Sequence, residues 1–174
     1  MTTIPTPEEF IESFPHPKLP KVVGQPTYTV LSSIKKLIAA NAASVPSNLG
    51  GGAHGYLGIV LSPAIYLTVA ATPFITPINP GATVVIPPGT TAAATGTLTR
   101  AHTELLREWK EYSAVQNALK KQLIDVVDPI YLRALRNRHV GFGNHTIRDM
   151  LSHLINAYGF ITPIDLKKNT DLLN

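Results

Sequence analysis

Apolar residues in this chain recur at helical spacing near its start and through its second half, and lose that rhythm in between. From about Thr29 to Ala43, Val30, Ile34, Leu37 and Ile38 fall on one stripe, with Lys35 and Lys36 off it, which predicts an amphipathic helix. A longer stripe runs through Leu98, Ala101, Leu105, Trp109, Tyr112, Val115, Leu119, Leu123 and Val126. It predicts one helix from about Thr97 to Val127, roughly 45 Å long at 1.5 Å per residue. Arg100, Glu104, Arg107, Glu108, Lys110 and Glu111 lie off that stripe with both signs mixed, as on a solvated face. Leu105, Trp109, Tyr112, Leu119 and Leu123 are its core candidates.

Capping signals place the shorter elements. Thr6-Pro7-Glu8-Glu9 is a helix start, with a capping hydroxyl, Pro at the first helical position and acids in the first turn. Phe10, Ile11 and Phe14 give that helix an apolar side, and Pro15, Pro17 and Pro20 end it, leaving residues 15–27 as an extended arm. Pro46 stops the next helix, and Ser47 to Gly55 reads as a flexible glycine loop. Tyr56 to Leu61 predicts a short strand, and Ser62-Pro63 opens a short buried helix over Ala64 to Ala71. Residues 72–90 are rich in Pro, Gly and Thr, an irregular connection with a short strand at Val84 to Ile86. Asp128-Pro129 restarts the chain as a short helix over Ile130 to Arg136. Thr146 caps a further helix with Asp149 three residues on, and Gly159 ends it. Its stripe is Ile147, Met150, Leu151, Leu154, Ile155 and Tyr158, of which Leu151, Leu154 and Tyr158 are core candidates. Thr162-Pro163-x-Asp165 opens one more helix. The expectation is a mainly α protein: an N-terminal arm with a short helix over 1–28, a helical domain over 29–160, and the start of a further helix over 161–174, cut from a longer polypeptide.

Charge changes this picture. Between Lys36 and Arg100 there is no Asp, Glu, Lys or Arg. Such a run must be buried, shielded by neighbouring chains or inserted in a membrane. Pro46, Pro63, Pro73, Pro77, Pro80, Pro87 and Pro88 interrupt it, so no window offers the ~20 apolar residues of a spanning helix. The remaining readings are core or protein contact. Too many prolines stand here for one compact core element, and large uncharged apolar patches mark protein–protein contact. Tyr56, Leu57, Tyr66, Leu67, Phe74 and Ile75 are therefore the self-association candidates. The N-terminus is acidic and proline-broken, unlike a signal peptide, and the expected location is cytoplasmic.

Candidate chemistry is sparse. The chain has no Cys, which excludes disulfides, thiolate zinc sites and cysteine nucleophiles. Gly50-Gly51-Gly52-x-x-Gly55 lacks the Gly-Lys-Ser/Thr ending of a phosphate-binding loop. His139, His145 and His153 lack the spacing and carboxylate support of a metal site, and Ser62 is followed by Pro without a nucleophile-elbow setting. No enzyme activity, cofactor or small-molecule substrate is implied. Net charge is +4, mildly basic and short of a dedicated nucleic-acid binder. The most basic stretch holds Lys120, Lys121, Arg133, Arg136 and Arg138. Its functional reading is contact with RNA phosphates. Its plainer reading is a solvated face complementing helix C-termini, since no aromatic platform is interleaved.

Four segments carry a family resemblance: ANAASVPSNLGGGAHGYLGIVLSPAIY, TPFITPINPGATVVIPPGTTAAA, AHTELLREWKEYSAVQNALKKQLIDVVDPIYLRALRN and TIRDMLSHLINAYGFITP. In this order, over roughly residues 30–165, they resemble the Gag-like region of copia-type LTR retrotransposons, most of all versions from algae and other marine eukaryotes. The resemblance implies a helical domain like the amino-terminal lobe of retroviral capsid proteins, which polymerises into a virus-like particle around the element's RNA. Family members continue into a second helical lobe and often a Cys/His zinc knuckle. This chain has no Cys and stops where that lobe is expected to begin. The function expected is a structural homo-oligomer with weak RNA contact. The rivals are a non-specific RNA-binding Gag fragment and a host-derived protein-interaction adaptor that kept the fold.

Overall fold

In the computed structural model, residues 3–159 are described; the helix expected over 161–174 lies outside them. The protein is mainly α, as the apolar periodicity requires. Its elements are α1 (Pro7–Ser13), α2 (Tyr28–Ser44), a 3₁₀ turn (Leu57–Ile59), α3 (Pro63–Val69), α4 (Ala92–Val126), a 3₁₀ helix (Pro129–Leu135) and α5 (Ile147–Tyr158). No strand is named among the described residues. The segments expected as strands are instead a 3₁₀ turn at Leu57–Ile59 and irregular chain at 84–86, where neighbouring prolines and glycines leave no paired edge.

The capping residues act as their chemistry dictates. Thr6, Thr27, Ser62, Thr91 and Thr146 each accept a backbone N–H from the first turn of the helix they open. Thr146 and Asp149 complete a reciprocal capping box. Helix α4 starts at Ala92, ahead of the expected Thr97, because Thr91 caps it and Ala92, Ala93 and Ala94 favour helix strongly. Its 35 residues make a rod of about 52 Å.

The core lies between α2, α5 and the C-terminal half of α4. Leu31, Ile34, Ile38 and Ala42 of α2 meet Val115, Ala118, Leu119 and Leu123 of α4 and Ile147, Met150, Leu151 and Leu154 of α5 in one buried cluster. Leu31 takes the place expected for Val30, which is exposed. Tyr112 and Tyr158 are half-buried against this cluster, whereas Leu105 is 53% exposed and Trp109 half-buried outside it. The expected core positions Leu105 and Trp109 are thus corrected. The helices that cover α4 are far shorter than α4 and reach only its C-terminal half. Helix α1 also packs on α4, and its Phe10 and the Phe14 that follows it are buried in the same cluster.

The N-terminal arm is sewn into the same core. Leu19 and Val22 are buried, and Val22 N–H donates to Val126 O at 2.8 Å. Asn41 and Gln122, both buried, hold the arm's backbone. Asn41 Nδ2 donates to His16 O and to Gln122 Oε1, each at 2.9 Å. Asn41 Oδ1 accepts from His16 N–H at 2.9 Å, and Gln122 Nε2 donates to His16 O at 3.0 Å and Pro17 O at 3.2 Å. An arm without strand partners must satisfy its backbone polar groups by such side chains once it is buried.

Candidate interaction surface

The uncharged middle divides into an inner and an outer side. Inside, four rings interlock: Tyr56 meets Phe74 at 6.3 Å between centroids, Tyr66 meets Phe74 at 6.1 Å, and His54 meets Tyr66 at 6.4 Å, all edge-on. Tyr66 is 1% exposed, and its hydroxyl donates to Gly50 O at 2.7 Å. His54 Nε2 lies 2.9 Å from Val69 O. Two glycines make this packing feasible. A Cβ on Gly50 would stand 2.1 Å from the Tyr66 hydroxyl, and one on Gly58 would stand 2.3 Å from Phe74 Cβ. Tyr56 is also buried, with its N–H on Ala42 O and its hydroxyl donating to Glu111 Oε1 at 2.6 Å. Burial and that carboxylate hold the Tyr56 phenol well above the ordinary tyrosine range.

This corrects the self-association candidates. Tyr56 and Tyr66 are core, and Phe74 and Leu57 are half-buried; only Leu67 and Ile75 face out. Lack of charge marked the segment but did not say which of its residues face inward. The outer side consists of Ile65, Leu67 and Val69 of α3, then Ile75, Ile78 and Val85, all about half exposed or more. Helix α3, expected to be buried, buries only Tyr66. Beyond it, residues 75–81 lie along the projecting half of α4, tied by Ile75 N–H on Leu49 O at 2.8 Å and His102 Nε2 beside Gly81 O at 2.9 Å. Leu49, Ile75, Ile78, Pro80 and Leu105 line an open groove of about 390 Å³ there, with Glu108 at its rim.

Beside this groove sits an acidic pocket of about 210 Å³ lined by Tyr56, Glu104, Arg107, Glu108 and Glu111. Arg107 donates to Glu104 at 2.8 Å and to Glu111 at 3.3 Å. Its hydrogen bonds hold the Glu104 carboxyl below the usual carboxylate range. Both partners are largely exposed, so this pairing adds little stability.

The basic residues do not form one patch. Lys120 is 7% exposed and donates to Phe142 O at 2.6 Å, which fastens the loop before α5 to α4; desolvation lowers its pKa. Lys121 pairs with Asp125 at 3.3 Å. Lys120 therefore leaves the expected RNA-contact set in a structural role, whereas Lys121 stays on the surface, in an exposed pair one turn apart on α4. Arg133, Arg136 and Arg138 are exposed and line a separate groove. His153 contacts Tyr131 O at 3.2 Å, and His145 lies 3.8 Å from Asp149. Among the described residues no group of His, Asp and Glu could hold a metal ion, and no helix is long and apolar enough to cross a membrane. Comparisons with protein-family models, curated protein sequences and solved structures give no match.

Proposed function

We propose that this chain is a non-enzymatic structural protein of the Gag capsid type. In this reading it self-associates through the outer side of its uncharged middle, in the cytoplasm, into a particle or lattice that packages RNA. One observation carries the reading: exposed positions from residue 37 to residue 99 hold no Asp, Glu, Lys or Arg, while Ile75, Ile78 and Val85 are 66, 85 and 85% exposed. Water-facing positions of a monomer tolerate charge freely. A surface that excludes it while displaying aliphatic side chains suits repeated contact with other copies, free of like-charge repulsion and ionic desolvation. The projecting half of α4 extends this surface, since Leu98 and Ala101 are uncovered and Leu105 shares a groove with Ile75 and Ile78. The resemblance to copia-type Gag points in the same direction.

The test is sedimentation velocity on the parent chain and on an Ile75→Glu/Ile78→Glu variant. The parent is expected to form large species as concentration rises. The variant is expected to stay monomeric with unchanged helix content and melting temperature. A parent that stays monomeric at high concentration refutes assembly and favours the adaptor reading.

A further inference from the structure

The chain has six arginines. Arg100, Arg107 and Arg148 donate side-chain hydrogen bonds to Thr97, to Glu104 and Glu111, and to Leu61 O. Among the described residues, Arg133, Arg136 and Arg138 have no such partner and no ion pair, and these three line one groove. The groove has about 560 Å³ of space beside Asn137, His139 and Gly141. It runs, through Arg133, Arg136 and Gly141, into a second depression walled by Ile130 and Phe142.

The frame beneath them is fixed. Asn137 Oδ1 accepts from the N–H groups of His139 and Val140 at 2.8 and 3.2 Å, and Asn137 and Gly141 exchange backbone bonds of 2.7 and 3.0 Å. Lys120 holds Phe142 O from the α4 side. Three like charges converge here on a short, braced segment, with only Asp128 at the far wall as a carboxylate. Uncompensated guanidiniums around one groove suit an anion with several oxygens, which guanidinium forks bind bidentately. The apolar wall beside them suits the ring of a base.

We propose that this groove is a binding site for phosphate esters, with consecutive phosphates on Arg133, Arg136 and Arg138 and an unstacked base against Ile130 and Phe142. Its expected source is single-stranded RNA. This deepens the RNA-packaging part of the function proposed above and rests on it, while standing apart from assembly.

The experiment measures fluorescence anisotropy of a labelled single-stranded oligoribonucleotide at several salt concentrations. It is run on the Ile75→Glu/Ile78→Glu background so that avidity does not enter. A triple Arg133→Gln/Arg136→Gln/Arg138→Gln variant is compared with Lys18→Gln/Lys35→Gln/Lys36→Gln, which removes equal charge elsewhere. The groove variant is expected to lose at least tenfold in affinity at low salt. Its salt slope should fall by about two, at roughly 0.7 per phosphate contact on a single strand. The lysine variant should keep both. Inorganic tripolyphosphate is the second probe. Displacement of the oligonucleotide by tripolyphosphate at matched ionic strength, lost in the groove variant, supports a site that free polyphosphate also fills. Arginine-dependent binding that tripolyphosphate does not displace supports a site specific to the strand. Equal losses in the two variants, or no binding by the parent, overturn the proposal. So does a groove variant, on the parent background, that stops sedimenting as large species, since its arginines would then hold another copy. A chain that assembles and binds no phosphate refutes the groove alone; one that binds RNA and never assembles refutes the assembly reading alone.

Discussion

Replacing Tyr66 separates the inner side of the uncharged middle from the outer. Its hydroxyl is the donor on Gly50 O at 2.7 Å, in a place where water does not reach, so Tyr66→Phe leaves a buried carbonyl without that donor. An unsatisfied buried acceptor costs about 1–3 kcal/mol. Tyr66→Ala also removes a ring held edge-on by His54 and Phe74, and large aromatic-to-alanine changes cost about 3–5 kcal/mol. Against a domain stability of about 5–15 kcal/mol, the alanine variant should be severely weakened and the phenylalanine variant measurably so. Ile78→Glu is the control: the side chain is 85% exposed, and substitutions at such surface positions stay within about 0.5 kcal/mol. Urea unfolding followed by circular dichroism, at concentrations low enough to keep the chain monomeric, should rank alanine below phenylalanine below the parent, with Ile78→Glu level with the parent. A Tyr66→Ala chain that unfolds at the parent's midpoint would show that the aromatic plug is not part of the cooperative unit. An Ile78→Glu loss equal to that of Tyr66→Ala would mean that Ile78 is covered within the chain, and the division into two sides would fail.

Three further outcomes follow from named contacts. Asn41→Leu should cost about 1–3 kcal/mol in urea, because the His16 N–H and Gln122 Oε1 lose their partner while His16 O keeps only Gln122 Nε2. Trp109→Ala should cost under about 1 kcal/mol and Leu119→Ala about 2–5, since Leu119 is fully buried and Trp109 stands outside the core cluster; equal thermal shifts would contradict this map of α4. Stability should fall at alkaline pH. The Tyr56 phenol is held protonated in the folded state, so the unfolded chain binds fewer protons above about pH 10 and stability declines as pH rises beyond that value. Urea midpoints between pH 9 and 11 should decline less in Tyr56→Phe, with Tyr112, also raised by burial, supplying the remaining slope.

The helices and their caps were legible because they rest on local chemistry: Thr6-Pro7, Ser62-Pro63, Asp128-Pro129 and Thr146-x-x-Asp149 all act where the sequence places them. Coverage was not legible. The α4 stripe is continuous from Leu98 to Val126, but a stripe states only that one face is apolar, and nothing in it records that its partners are too short to reach Leu105. Nor does periodicity register Asn41, Gln122 and Lys120, which are buried because a distant backbone needs their hydrogen bonds. Gly50 and Gly58 were the available signal for the aromatic plug, since each glycine leaves room for a ring and neither is needed merely for a flexible loop.

Had residues 37–99 been wholly buried, their lack of charge would follow from the cost of burying ions and would say nothing about partners. They are not wholly buried. Most of the stretch from Pro63 to Thr99 faces water, including Thr68, Thr76, Asn79 and Thr83. A Lys or Glu at any of these would meet solvent and would cost the fold almost nothing. The fold therefore does not account for their neutrality; the proposed self-association would, as a constraint from outside it. That constraint falls on a continuous stretch that also leaves Ile75, Ile78 and Val85 uncovered, while both signs of charge resume at Arg100 on the same helix. Neutral polar and aliphatic side chains together suit a contact that must form many times and remain reversible. A charged replacement at Thr76 or Asn79 should then leave the melting temperature unchanged and reduce sedimentation as large species, which a merely tolerant surface loop would not do.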